Sequence, residues 1–277
     1  MNIFGRHTFF VFIFLLSMAV GMAQPRHYDG IDVSHYQGVI DWKQVKQDSL
    51  IQFVYIKATE GKTFRDPRYK RNIREARKQG LKVGSYHFFH MSSSAREQFN
   101  NYKKMVKKSE QDLIPMIDVE LACSKKRGCF LDNYNAGNEK HREAMVKRLR
   151  ELADLMEEYY GCRPIIYCAL PSYGSIIKGN FDDYPLYVGN YRDKKVKIKN
   201  CYIWQYSSNG CVRGISSENN NPKVCDIAAF YNGCRLADIT IGTAKTPNEK
   251  KAAKLRRSSA KPKVPRKSEG TKSKHSS

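Results

Sequence analysis

Eight short apolar runs constrain this chain most. They are "YDGIDVSHY" (28–36), "IQFVYIKAT" (51–59), "LKVGSYHFF" (81–89), "LIPMIDVE" (113–120), "RPIIYCAL" (163–170), "YPLYVGNY" (184–191), "NCYIWQYS" (200–207) and "VCDIAAF" (224–230). Those at 51–59, 81–89, 113–120 and 163–170 are largely apolar, the signature of strands buried on both faces, and the other four also look like strands. The first five are separated by stretches with helical periodicity. Asp66 and Pro67 supply an N-cap and a first-turn proline for a helix that Gly80 ends. Ser94 and Glu97 form a capping-box pattern ahead of Phe99, Tyr102 and Val106, which fall on one face. Residues 139–160 carry Met145, Leu149, Leu152, Met156 and Tyr159 at helical spacing. The last three runs are joined by short or Gly- and Asn-rich connections with no helix. Strand–helix alternation calls for a parallel sheet with crossover helices. Its loss after the fifth strand favours an irregular α/β barrel over a flat doubly wound sheet, which would need helices late in the chain as well.

The two ends stand outside this pattern. "MNIFGRHTFFVFIFLLSMAVGMAQ" sets Arg6 before an apolar stretch that closes on Gly21 and Ala23, so residues 1–23 read as a signal peptide. The stretch from Phe9 to Val20 is shorter than the roughly 20 residues of a membrane-spanning helix. The mature protein is therefore expected to be exported, periplasmic or extracellular, without a transmembrane span. Residues 244–277 hold twelve Lys or Arg, two Glu and no aromatic residue, and supply ten of the formal net charge of +22. Such a segment buries too little apolar surface to offset the entropy of ordering and is expected to be a disordered tail. It either solubilises the protein or adsorbs to anionic wall or surface polymers. The region between, residues 24–243, is the folded domain. With 41% hydrophobic residues overall, global disorder is excluded.

Eight cysteines follow the signal: Cys123, Cys129, Cys162, Cys168, Cys201, Cys211, Cys225 and Cys234. None forms a C-x-x-C pair, so structural zinc fits poorly. An even count in an exported chain reads as disulfides. Cys123 and Cys129 close a short basic loop and are a plausible local pair. Cys162 and Cys168 flank a strand, about 20 Å apart at strand rise, and should pair elsewhere.

"LIPMIDVE" ends on two carboxylates one residue apart. Residues i and i+2 of a strand share a face, roughly 6.5–7 Å apart, so Asp118 and Glu120 point together at the C-terminal end of a central strand. That end is where β/α barrels build active sites. Asp32 and Asp226 hold matching positions on the first and last runs. Clustered acids repel one another, and burial with repulsion raises at least one pKa. A protonated acid beside an ionised one is what glycosidic bond cleavage needs. Divalent metal binding is the rival use of such a cluster. Aromatic side chains at the same strand ends favour sugars: Tyr86, His87, Phe88, Tyr167, Tyr187, Tyr191, Trp204 and Tyr206, although core packing is their plainer use.

Seven motifs in order carry a resemblance. "GIDVSHYQGVIDW", "FVYIKATEG", "GSYHFF", "MIDVE", "PLYVGNY", "IWQYSSNGCVRGI" and "CDIAAFYNG" together resemble the lysozymes of glycoside hydrolase family 25 over residues 28–233. The resemblance implies a TIM-like (β/α)5(β)3 barrel that hydrolyses the β-1,4 bond between N-acetylmuramic acid and N-acetylglucosamine in peptidoglycan, as a monomer without cofactor or metal. Glu120, which ends the family's Asp-x-Glu motif, would be the general acid. Asp118 would stabilise the oxocarbenium-like transition state or orient the substrate's acetamido group. Asp32 and Asp226 would line the same pocket, with Tyr86, Tyr167, Tyr191, Trp204 and Gln205 as substrate-binding residues. Two departures stand out. A basic insertion, "LACSKKRGCFLDNYNAG", follows "DVE", and the last motif reads "CDIAAF" where the family more often shows "VDLN". Two other readings compete: a non-catalytic wall-binding protein on the same scaffold, and a nucleic-acid or lipid-surface binder driven by the basic tail. The complete set of four acids favours the enzyme, with no specific nucleic acid among its partners.

Overall fold

A computed structural model describes residues 28–120, 138–192, 196–216, 222–245 and 248–250, together with the backbone of a small ribbon, Cys123–Ser124 paired with Gly128–Cys129. All eight apolar runs form strands: β1 (Gly30–Val33), β2 (Phe53–Glu60), β3 (Lys82–Phe88), β4 (Met116–Val119), β5 (Ile165–Ala169), β6 (Leu186–Gly189), β7 (Cys201–Ser216) and β8 (Pro222–Phe230). Each of β2 to β7 runs parallel to its predecessor, β8 runs antiparallel to β7, and β1 pairs with both β8 and β2. That last double pairing closes an eight-stranded barrel, so the mixed α/β expectation holds and the flat sheet does not.

Helices follow the first five strands: α1 (Trp42–Val45), α2 (Tyr69–Lys78), α3 (Ala95–Met105), α4 (Glu139–Tyr160) and α5 (Leu170–Ser172), which runs into a π-helical turn at Tyr173–Ile177. The capping box of α3 forms as expected, Ser94 Oγ accepting from the Glu97 amide and Glu97 from the Ser94 amide. At α2 the start differs from expectation. Asp66 caps a turn instead, accepting from the Arg68 amide at 2.9 Å, and its other oxygen holds the His35 ring and backbone, so the helix begins two residues later than expected, at Tyr69.

Strand periodicity of two sorts the core into two layers. Outward residues such as Ile31, Val54, Ile56, Ile117 and Ile166 pack under Ile73, Phe99, Leu149, Leu152 and Met156 of the helices. Inward residues such as Phe53, Tyr55, Met116, Ile165 and Tyr187 fill the barrel. Small residues face large ones inside it. A Cβ on Gly84 would lie 2.5 Å from the Tyr55 ring, and one on Gly30 would lie 2.4 Å from Phe53. The barrel is thus packed shut below its upper rim.

The expected disulfide framework is not formed among the cysteines whose side chains are described. Cys162, Cys168, Cys201, Cys211, Cys225 and Cys234 are free thiols. Cys168, Cys201 and Cys225 are buried, where a thiol packs as a small apolar group. The signal peptide at 1–23, the Cys123–Cys129 side chains and most of the tail at 244–277 lie outside the described residues. Among the described residues no helix is long and apolar enough to cross a membrane.

Candidate active site

Four acids meet at one end of the barrel. Asp118 and Glu120 come from the C-terminal end of β4, and Asp32 from that of β1. Because β8 runs the other way and its first half extends past the rim, its central residue Asp226 reaches the same rim and stands directly opposite Asp32 in the strand register. Asp32 and Asp118 are buried, whereas Glu120 and Asp226 are partly exposed above them. The site therefore has a deep pair and a rim pair.

Asp32 is the most firmly held. Tyr187 Oη donates to its Oδ2 at 2.6 Å, Gln205 Nε2 lies 3.2 Å from both of its oxygens, and it shares a hydrogen bond with Asp226. Gln205 is oriented in turn by two phenols, Tyr167 and Tyr191, each donating to its Oε1 at 2.7 Å. With its carbonyl so occupied, the Gln205 amide must turn its NH2 toward Asp32. Burial raises the Asp32 pKa, and the hydrogen bonds from Tyr187, Gln205 and Asp226 pull against that rise. Asp226 is pushed up to about 9, first by burial and then by the charge and hydrogen bond of Asp32. A hydrogen bond between two carboxyl groups needs a proton, and these shifts put it on Asp226.

The second pair is less satisfied. Asp118 Oδ1 is buried without a hydrogen-bond partner among the described residues. Buried polar atoms are nearly always partnered, and exceptions concentrate where a function requires one. Burial, then the nearby Glu120 charge, raises the Asp118 pKa well above the carboxylate range. Glu120 is raised too, by burial first and by the charge of Asp32 second. Lys57 lowers both. Such a cluster holds acids in both protonation states near neutral pH, the requirement for acid-assisted bond cleavage.

The predicted binding residues divide by face. Tyr86 sits within the field of all four acids, which together with burial keeps its phenol protonated. Tyr167 and Gln205 belong to the Asp32 network. Tyr191 is exposed and joins that network to the outer rim. Trp204 lies on the other face of β7 from Gln205. Its Nε1 donates to the Asn190 carbonyl at 2.9 Å, its ring packs edge-on against Tyr206 and Tyr231, and it lines a cavity of about 440 Å3 with Tyr191, Arg192 and Tyr206. His87, grouped with the rim aromatics by sequence, points away from the acids. It faces the helices, bonded to Thr59 and Gln98 in the outer layer. The residue that sequence reasoning passed over is Lys57. Its signal was present, a lysine inside the apolar run "IQFVYIKAT", two residues from Tyr55 and so on the same inward face.

The sequence profile of glycosyl hydrolases family 25 matches residues 31–215. The chain is 31% identical over 229 residues to the uncharacterized protein YegX of Escherichia coli (strain K12), covering 79% of each. It is 28% identical over 216 residues to an autolytic lysozyme of Clostridium acetobutylicum, covering 76% of this chain and 58% of that one. Among solved structures, a family 25 glycosyl hydrolase from Bacillus anthracis superposes with a TM-score of 0.63 at 31% identity, over 75% of this chain and 91% of the other. A bacterial lysozyme from Streptomyces coelicolor shares the fold with a TM-score of 0.63 at 24% identity, over 78% of this chain and 97% of the other.

Proposed function

The chain belongs to glycosyl hydrolase family 25 and is a glycoside hydrolase, and on that premise we propose that it is a muramidase cutting the β-1,4 bond between N-acetylmuramic acid and N-acetylglucosamine in peptidoglycan. The observation that carries this reading is the convergence of Asp32, Asp118, Glu120 and Asp226 on one rim, with one proton held between Asp32 and Asp226. Glu120 is the general acid. It is raised by burial, yet open enough at the rim to reach the leaving-group oxygen. Asp118 lies below it with one unpartnered oxygen, suited to the developing charge at the anomeric carbon or to the N–H of the substrate's acetamido group. Asp32, fixed by Tyr187 and Gln205, and Asp226, hydrogen-bonded to it at the rim, line the same pocket. Tyr86 and Tyr191 are placed to contact the glycan, and Trp204 from the outer side of the rim, whereas Tyr167 and Gln205 act through Asp32, whose network they complete.

We also place its action outside the cytoplasm, since residues 1–23 carry an export signal. Any disulfide would then be confined to Cys123–Cys129 or would form after movement elsewhere. The direct test of the chemistry is Glu120→Gln assayed for release of reducing ends from purified peptidoglycan. The variant should fold as wild type and turn over roughly 10²–10⁴-fold more slowly. Undiminished turnover would remove Glu120 from the mechanism.

A further inference from the structure

Strand β2 carries a lysine where a barrel interior normally carries an apolar side chain. Lys57 is only 7% exposed, and among the described residues it is the one Lys or Arg buried to this degree. An ammonium group taken out of water is costly unless paired. Lys57 is paired: its Nζ lies 2.6 Å from Glu60 Oε2, 4.8 Å from the centre of the Phe88 ring and 5.5 Å from that of Phe64.

A pair three residues apart on one strand needs an explanation, because in an unbroken strand residues 57 and 60 face opposite ways. The register of β2 on β3 slips once. Lys57 opposes Tyr86, but Thr59 opposes His87 and Glu60 opposes Phe88. Ala58 is the extra residue of a β-bulge, and it returns Glu60 to the Lys57 face while Thr59 turns outward with its partner His87. His90 Nε2 then holds the other oxygen of Glu60 at 3.0 Å. The cation is thereby fixed at the barrel mouth beside Phe88, which pairs in register with Asp118.

We propose that Lys57, clamped by the β2 bulge and the Glu60–His90 pair, is a positioning residue that acts on Asp118 and Glu120 and leaves Asp32 and Asp226 alone. Its catalytic meaning rests on the muramidase reading, whereas its electrostatics do not. The ionisable groups around Lys57 are Glu60 on its own strand, His90 from the turn after β3, Asp118 and Glu120 from β4, His87 on the outer face of β3, and Asp32 on the adjoining β1, which stands opposite Tyr55 two residues before the lysine. Its charge opposes the burial of Asp118 and Glu120 and does not figure among the forces on the other two acids. A fixed cation on one side of the cluster favours a negative charge on the Asp118–Glu120 pair, while Asp226 keeps the proton of the other pair.

Carbon-13 NMR titration of the side-chain carboxyls in the full chain reads this without turnover. Lys57→Met should raise the midpoints of Asp118 and Glu120 by about one pH unit, leave Asp32 and Asp226 in place, and be reversed by Lys57→Arg. Glu60→Gln leaves the lysine uncompensated and should move the same two midpoints down. On peptidoglycan, both limbs of the Lys57→Met pH–rate profile should shift upward with the titrations. Unmoved midpoints for Asp118 and Glu120, or all four acids moving together, would overturn the proposal. If Lys57→Met does not fold, the opposite-signed shift in Glu60→Gln decides alone. A wild-type chain without turnover would sink the proposed function instead, with the titrations still readable.

Discussion

Asp226 pairs with Asp32 at a thermodynamic cost that can be measured. Its pKa is raised from 3.8 to about 9, so between those values the folded chain binds more protons than the unfolded chain. Stability must then fall as pH rises through that window. Asp226→Asn removes the cost of ionising a buried acid beside another. It is expected to stabilise the protein by about 1–3 kcal/mol at pH 8, by much less near pH 4, and to lower turnover. Urea unfolding at the two pH values checks this, and an equal gain at both would contradict it. The placement of the acids was legible in the sequence, because strand periodicity sets Asp118 and Glu120 together and the ends of the first and last runs supply Asp32 and Asp226. The split into a proton-sharing pair, Asp32 with Asp226, and a pair with an unpartnered oxygen was not. It depends on Tyr187 and Gln205, which lie more than 150 residues from Asp32 in the chain.

Elements are held in place by irregularities as much as by periodicity. The β7–β8 hairpin continues past the rim and folds onto α1, where the Asp41 amide donates to the Gly214 carbonyl at 2.9 Å. Gly214 has φ +92°, and a Cβ there would lie 2.4 Å from the Asp41 carbonyl oxygen. Gly214→Ala should cost about 1–3 kcal/mol, since backbone strain and close approach add. Ser94→Ala, which loses only the cap of α3, should cost about 1 kcal/mol. Urea midpoints for the two variants test the order, and a Gly214→Ala protein as stable as wild type would refute the close packing of hairpin on helix. Capping boxes are local and could be read directly from "SAREQ". The bulge at Ala58 could not. The two-residue period assigns Glu60 to the wrong face, and only the pairing with β3 corrects it. Trp204 shows the converse, because alternation alone separates it from Gln205 across β7 even though one motif carries both.

At the scale of the whole molecule, barrel closure through β1 puts the acids at one end and the start of the C-terminal segment at the other. Tyr202, at the beginning of β7, donates to the Lys245 carbonyl at 2.7 Å, and Lys250 is held by Asp238 at 3.0 Å and over the Tyr202 ring. A basic segment leaving from that end can adsorb to an anionic wall without covering the catalytic rim. Removing residues 251–277 should weaken adsorption to anionic walls at low salt, abolish its salt sensitivity and preserve turnover of soluble fragments. Pull-down across a salt series checks this, and equal adsorption by both chains would contradict it. The class of fold was readable from five strand–helix alternations followed by three bare strands, since that pattern leaves few ways to cover both faces of a sheet. The most direct test of the central claim is mass analysis of fragments released from defined peptidoglycans, with the new reducing end identified. The proposed muramidase should leave N-acetylmuramic acid at that end and should release almost none in Glu120→Gln, whereas fragments ending in N-acetylglucosamine would contradict the assignment.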